Sequence, residues 1–345
     1  MTGWFRRLVL APALIALTVT LWTTIPVWLL AAAVLSPVVP GRLRPLRLLS
    51  LLMLHLTLES IMLVELFGLW VASGFGWFIR RPFFERIHYD IVQTYLVIFF
   101  REARRVARLE IVTEGAEPDA HPGEPLLVCC RHAGPGDSFT LMYALMHWYG
   151  REPRVVLKET LAWDPAIDII LNRLPNRFIS GKPSRGDDLE TQVGQLAANL
   201  DHNDAFVIFP EGGNFTPARR QRQIDRLRHL GLESMARRAE RMQNVLAPRP
   251  GGLIAALDAA PGADVLLVAH TGLDHLFTAV DLWRELPMDK QIIMRWWRVP
   301  RSDIPLGREQ RIDWLFSWWE TIDAWIAENR PRDLPLRRRG GRSGR

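Results

Sequence analysis

Two short motifs hold the side chains best suited to chemistry. The first is Arg131-His132-Ala133-Gly134-Pro135-Gly136-Asp137, where a carboxylate follows a histidine by five positions across a Gly/Pro turn. The second is Phe209-Pro210-Glu211-Gly212-Gly213-Asn214-Phe215. A histidine beside a carboxylate can act as a general base whose tautomer the carboxylate fixes. His132 is the candidate base and Asp137 its partner. Glu211 sets a second carboxylate beside glycines whose backbone N–H groups are open. Gly136, Gly212 and Gly213 are therefore candidates to hold an oxyanion or a phosphate. Plainer readings compete. Asp137 and Ser138 also suit a helix N-cap, and the second motif also suits a strand-to-loop turn.

Each motif follows a short apolar run, 125–130 before the first and 205–208 before the second. Open α/β sheets place their sites at such strand ends. Strand-like runs recur at 108–112, 125–131, 154–157, 177–180, 205–209, 264–269 and 291–299. Helical stretches alternate with them at 138–148, 165–173, 188–200, 227–243 and 311–329. This predicts an α/β fold: a mixed, largely parallel sheet flanked by helices. In the last helix, Leu315, Trp318, Trp319, Ile322 and Ile326 form one apolar face. It is expected to pack on the domain, with contact to a membrane surface as the alternative.

The amino-terminal third differs. Residues 8–39 are almost wholly apolar, with no charge between Arg7 and Arg42. That length can cross a bilayer and exceeds the core of a signal peptide. Pro12 and Pro26 should kink it. A second apolar stretch, 48–79, contains His55, Glu59 and Glu65, which make a clean crossing costly and favour a kinked or in-plane helix. Arg42, Arg44 and Arg47 between the stretches, and Arg80, Arg81 and Arg86 after them, compete under the positive-inside tendency. One or two spans, or a hairpin dipping into one leaflet, all remain open. The expected organisation is a membrane-anchoring helical region at 1–107, a catalytic domain at 108–329 and a basic, disordered tail at 330–345.

Composition narrows the function. Net charge is +6, yet the tail 330–345 holds seven Arg and one Asp, so the rest is about neutral. No nucleic-acid partner is expected. The two cysteines, Cys129 and Cys130, are adjacent and point to opposite faces of a strand. A disulfide framework is excluded, and a reducing compartment fits. His270, Asp274 and His275 have metal-like spacing without a third strong ligand, so no metal is expected. Neither a Gly-x-Ser-x-Gly elbow nor a Walker A loop occurs. Arg219, Arg220, Arg222, Arg226 and Arg228 follow the second motif, as a solvated face or as a lure for a phosphate headgroup.

Taken together, the two motifs resemble the glycerolipid acyltransferase family, of lysophosphatidic acid acyltransferase type. That family shows Asn-His-x4-Asp, a Phe-x-x-Arg-type motif and Phe-Pro-Glu-Gly-Thr-Arg, in this order. Leu157-Lys158-Glu159-Thr160-Leu161 with Pro165 also looks like a family segment. Leu246-Ala247-Pro248-Arg249-Pro250-Gly251-Gly252 and Arg298-Val299-Pro300-Arg301-Ser302-Asp303-Ile304-Pro305 look like its lysocardiolipin-type branch. The resemblance covers about 126–305. Arg131 stands where the family has Asn, Gly213-Asn214 where it has Thr-Arg, and Phe178-Ile179-Ser180-Gly181 lacks the middle arginine. Those arginines grip the acceptor's phosphate in the family, which makes Lys182, Arg185 and Arg219 the candidate substitutes.

The resemblance implies an acyl-CoA-dependent O-acyltransferase, 1-acylglycerol-3-phosphate O-acyltransferase-like, acting on a lysophospholipid or glycerol-phosphate-type acceptor. It would work among membrane lipids at the cytoplasmic face of the cell membrane. Acyl-CoA is then a co-substrate, and no cofactor is called for. His132 would be the base, Asp137 its orienting partner, and Glu211 would position the acceptor or brace the site. The alternatives are a lipid transacylase or esterase using the same pair, and a non-catalytic lipid-binding membrane protein.

Overall fold

Prolines punctuate the amino-terminal helices. In the computed structural model, which describes residues 3–41, 43–115, 123–134, 136–179, 189–274 and 279–331, α1 (Gly3–Phe5) passes through a π-turn (Arg6–Leu10) into α2 (Ala11–Thr23). Pro26 breaks the run, and α3 (Ile25–Leu35) restarts with that proline in its first turn, where a missing N–H costs nothing. Pro45 and Pro82 open α4 (Arg44–Ala72) and α5 (Pro82–Ala107) in the same way. Ser60 Oγ donates to Thr18 Oγ1 at 2.9 Å, and Trp22 Nε1 donates to Thr57 Oγ1 at 2.9 Å, which ties α2 to α4.

Two helices, Arg6–Thr23 and Arg44–Ala72, are long and apolar enough to cross a membrane. The second stretch forms one helix from Arg44 to Ala72 and ends in turns at 73–80. Its acids separate by face: Glu59 is buried toward α5, and Glu65 is exposed. Leu30, Val34, Val64, Phe67 and Trp77 are exposed along the outer side. An apolar surface of that extent marks contact with something other than water.

The sheet has seven strands: β1 (Leu109–Glu114), β2 (Leu126–Cys130), β3 (Glu152–Lys158), β4 (Arg177–Ile179), β5 (Asp204–Ile208), β6 (Asp264–Thr271) and β7 (Lys290–Val299). Their order is β1-β7-β6-β2-β5-β3-β4. All neighbours are parallel except β6 and β7. Every residue of β2 and β5 is buried, as apolar parallel strands covered on both faces must be. All seven expected strands are present, and the sheet is mixed and largely parallel.

The connecting helices are α6 (Asp137–Tyr143), α7 (Pro165–Leu171), α8 (Leu189–Ala197), α9 (Pro217–His229), α10 (Glu233–Arg241), α11 (Pro250–Ala259), α12 (Ala279–Glu285) and α13 (Arg308–Asn329). Leu127, Cys129, Leu253 and Trp319 share one core, which joins α8, α11 and α13 to one face of the sheet. Leu126, Val128, Cys130 and Leu141 build the core on the opposite face, beneath α6. There α5 stacks Phe100 on Tyr143, with ring centroids 4.8 Å apart.

Four helices differ from expectation. Residues 227–243 form the end of α9 and then α10, because Gly231 turns the chain at φ +73°. Thr216 starts α9 early by accepting the Arg219 N–H at 3.2 Å. Neither α11 nor α12 was anticipated. Gly252 lets α11 lie close to β5, where a Cβ would meet Ile208 Cδ1 at 2.8 Å and push that side chain aside. The tail from 332 onward lies outside the described residues.

Candidate active site

The first motif begins where β2 ends. The Arg131 N–H extends the ladder to Val268 O at 3.1 Å, and His132 follows immediately. The chain turns, and α6 starts at Asp137 with Gly136 as its N-cap residue. Asp137 Oδ2 accepts the Gly134 N–H at 2.5 Å and lies 3.4 Å from His132 Nδ1. The five-residue spacing thus brings base and carboxylate together. With Nδ1 turned to Asp137, Nε2 is the nitrogen left to take a proton. The His132 ring packs on Phe209, centroids 4.7 Å apart.

The second motif clamps the first. Glu211 is fully buried; its Oε1 accepts the His132 N–H at 3.1 Å and its Oε2 accepts the Leu246 N–H at 3.0 Å. Phe215 N–H donates to His132 O at 2.7 Å. Of the two roles foreseen for Glu211, this geometry is that of a brace. Burial pushes its carboxyl up to about 7, against the pull of Arg131 and the two N–H donors.

Arg131 is anchored below the site. Its buried guanidinium donates to His270 O at 2.6 Å, Asp274 Oδ1 at 2.6 Å and Asn244 O at 3.2 Å. Asp274 Oδ2 accepts from Thr271 Oγ1 at 2.6 Å and from the Gly272 N–H at 3.0 Å. Burial opposes ionisation of Asp274, but Arg131 and these donors hold its pKa down at about 2. Burial likewise opposes the charge of Asp137, yet His270, His132 and the Gly134 N–H keep it below the usual carboxylate range. Cys129 and Cys130 are buried free thiols pushed up by desolvation, unsuited to act as nucleophiles.

The remaining candidates are distributed unevenly. Gly212 has φ +68°, and a Cβ there would lie 3.0 Å from the Arg249 guanidinium. Gly213 is buried beside it. Arg219, on the first turn of α9, donates to Asn214 O at 2.6 Å. Lys182, Arg185 and His275 lie outside the described residues. Among the described residues, no three His, Cys, Asp or Glu side chains gather as a metal site. Two neighbours had been missed. The sequence marks Arg249 only as part of a motif, and His270 only through a metal-like spacing that lacks a third ligand. The placement of His270 at the end of a strand beside β2 was the available signal.

A cavity of about 360 Å3 opens at His132 and runs between α4–α5 and the sheet. Leu96, Met142, Met146, Val155, Leu157 and Ile170 make its wall largely apolar. His55 and Tyr95 meet in it, Nδ1 to hydroxyl, at 2.9 Å.

Residues 105–259 match the family model described as Acyltransferase. The fold is similar to the crystal structure of the 1-acyl-sn-glycerophosphate (LPA) acyltransferase PlsC from Thermotoga maritima. The TM-score is 0.50 at 17% sequence identity, over 82% of this chain and 97% of that chain. No curated protein matches this chain in sequence. The chain is an enzyme built on an acyltransferase domain. The family match thus places an acyltransferase domain at residues 105–259, and the solved structure shows that the fold is shared.

Proposed function

We propose that the protein transfers a fatty acyl chain from acyl-CoA to the hydroxyl of a lysophospholipid or glycerol-phosphate-type acceptor. The observation that carries this reading is the His132–Asp137 pair at the mouth of an apolar cavity. His132 Nε2 takes the acceptor's hydroxyl proton as the oxygen attacks the thioester carbonyl. Asp137 stabilises the imidazolium that forms. Collapse of the tetrahedral intermediate breaks the C–S bond, and the departing thiolate takes the proton from His132. No covalent enzyme intermediate is needed. The cavity holds the acyl chain, and Arg249 with Arg219, at the Gly212–Asn214 turn, meets the acceptor's phosphate. The apolar outer side of α2–α4 attaches the enzyme to the cell membrane, with the catalytic domain on the cytoplasmic side, where acyl-CoA is found.

The test is transfer from labelled acyl-CoA to a panel of lysolipids, read by mass spectrometry. H132A should lose transfer and still fractionate with membranes. Full activity in H132A would overturn the reading. Transfer from a phospholipid donor but not from acyl-CoA would replace it with a transacylase.

A further inference from the structure

The carboxyl end of α5 carries charge that the reaction above does not use. Arg101, Arg104 and Arg105 lie on its last turns, and Arg108 follows at the cap. With Lys290 at the start of β7 they line a cleft of about 540 Å3. Five cations there face two carboxylates, Glu110 and Asp289. Local causes account for some of this charge. Cations on a last helical turn complement the helix dipole. Arg108 pairs with Asp289 at 2.9 Å, Arg101 with Glu102 at 3.4 Å, and Lys290 with Glu285. Arg104 and Arg105 have neither an ion pair nor a hydrogen bond among the described residues. Two guanidiniums therefore reach the cleft uncompensated, an arrangement that favours an anion with several oxygens.

Strand directions place this cleft relative to His132. β2 and β6 are parallel, β6 and β7 antiparallel, β7 and β1 parallel. The amino ends of β1 and β7 therefore lie at the sheet edge where β2 delivers His132. β6 and β7 separate β1 from β2, so strand spacing sets β1 about 15 Å to the side of the strand that ends at His132. The same helix, α5, also contributes Tyr95 and Leu96 to the acyl cavity, so cleft and cavity lie on one face of the sheet.

Coenzyme A thioesters divide in a matching way. The thioester ends a flexible pantetheine arm, and a diphosphate and a ribose phosphate lie at the other end. We propose that the Arg101–Arg108/Lys290 cleft binds the phosphate-bearing end of the acyl donor while its thioester lies at His132. The inference rests on the acyl-CoA reading above. The recognised chemistry is clustered phosphate held by guanidinium forks. A bilayer headgroup offers related chemistry close by, since Arg44 and Arg47 of α4 bond to Leu286 O and Val106 O beside the cleft.

The variant to make is R104E/R105E, because neither side chain has an ion pair or a hydrogen bond to lose among the described residues. With acyl-CoA, KM for the donor should rise at least about tenfold, as expected when charge-assisted phosphate contacts are lost. The acceptor's KM should stay put. With acyl-pantetheine, which lacks the nucleotide, variant and unaltered enzyme should perform alike. An unchanged KM for acyl-CoA in the variant overturns the assignment. So does an equal loss with acyl-pantetheine. A headgroup site is the third outcome: the variant leaves vesicles containing anionic phospholipid, stays on neutral ones, and keeps its KM for acyl-CoA. That also overturns the assignment. If the unaltered enzyme never uses acyl-CoA, the proposed function itself fails, and the two failures are distinguishable.

Discussion

His270 Nε2 stands 3.5 Å from Asp137 Oδ2, the oxygen that faces His132 Nδ1 at 3.4 Å. One carboxylate oxygen is thus shared by two imidazoles and the Gly134 N–H. His270 is buried, and its Nε2 makes no hydrogen bond among the described residues. Its ring is held from the other side by the backbone of Arg131. Asp137 is the group this histidine can act upon, so His270 is a positioning residue for the pair. His270→Ala should lower kcat about tenfold with little change in KM, the pattern expected when a base loses its alignment and not its substrate contacts. Steady-state kinetics on folded variant, checked by circular dichroism, decide it. A rise in KM alone would assign His270 to substrate binding instead.

Glu211→Gln tests the brace. Both carboxylate oxygens accept backbone N–H groups, whereas glutamine would put an NH2 donor at one of the two positions. The cost should be about 1–3 kcal/mol, the penalty for a buried donor left unsatisfied. The pH response gives a second check. Burial raises the folded pKa of Glu211 to about 7, above its unfolded value. Linkage then makes its contribution full below the unfolded value and lost as pH rises through about 7. Thermal unfolding should show this decline in the unaltered protein and a flatter profile in E211Q. Unchanged stability with a raised acceptor KM would assign Glu211 to the substrate.

Asp274 answers pH in the opposite direction. Its folded pKa is depressed to about 2. Its contribution is present above the unfolded value near 4 and disappears only as pH falls through about 2. Asp274→Asn removes the partner of a buried Arg131 and should cost about 3–5 kcal/mol. Urea unfolding at neutral pH measures this loss, and it should shrink toward zero in strong acid.

Arg249 lies against Gly212 with no carboxylate partner among the described residues. Burial lowers its pKa, and the nearby Arg226 and Arg219 lower it further, so cations gather at this turn. Arg249→Ala should raise KM about tenfold for acceptors carrying a phosphate, in line with loss of a charge-assisted contact. An acceptor without phosphate should not distinguish the variant. If it does, Arg249 serves the fold and not the phosphate.

What could be read from the chain follows from the range of each interaction. β2 and β5 were visible because strands buried on both faces must be apolar throughout, and Leu126–Cys130 and Asp204–Ile208 nearly are. His132 and Asp137 were visible because one turn joins them. A brace was one of the two roles foreseen for Glu211, but its partner Leu246 was not visible, since it joins the site only after α9 and α10 return the chain. α11 was hidden by Gly251 and Gly252, poor helix formers that lie close to Glu190 of α8 and Ile208 of β5 respectively. His270 was weighed only as a metal ligand beside Asp274, set aside as such, and given no other role. The fold gives Asp274 to Arg131 and turns His270 toward Asp137.

The apolar outer side of the amino-terminal helices makes the last prediction. Leu30 and Val34 lie one turn apart on α3, 67% and 65% exposed, and neither belongs to a buried core. Water alone would not favour that surface, whereas the hydrocarbon of a bilayer would. Replacing both by glutamate leaves the sheet and the catalytic pair untouched. Each charge placed at hydrocarbon depth costs about 2.5–3.5 kcal/mol on insertion scales. The double variant L30E/V34E should therefore move from the membrane to the soluble fraction on centrifugation. In detergent, with a soluble short-chain acceptor, it should keep its turnover. If it stays with membranes, α3 is not the attachment surface. If it loses turnover in detergent, these helices support the active site directly, through α4 and the cavity wall it shares with His132.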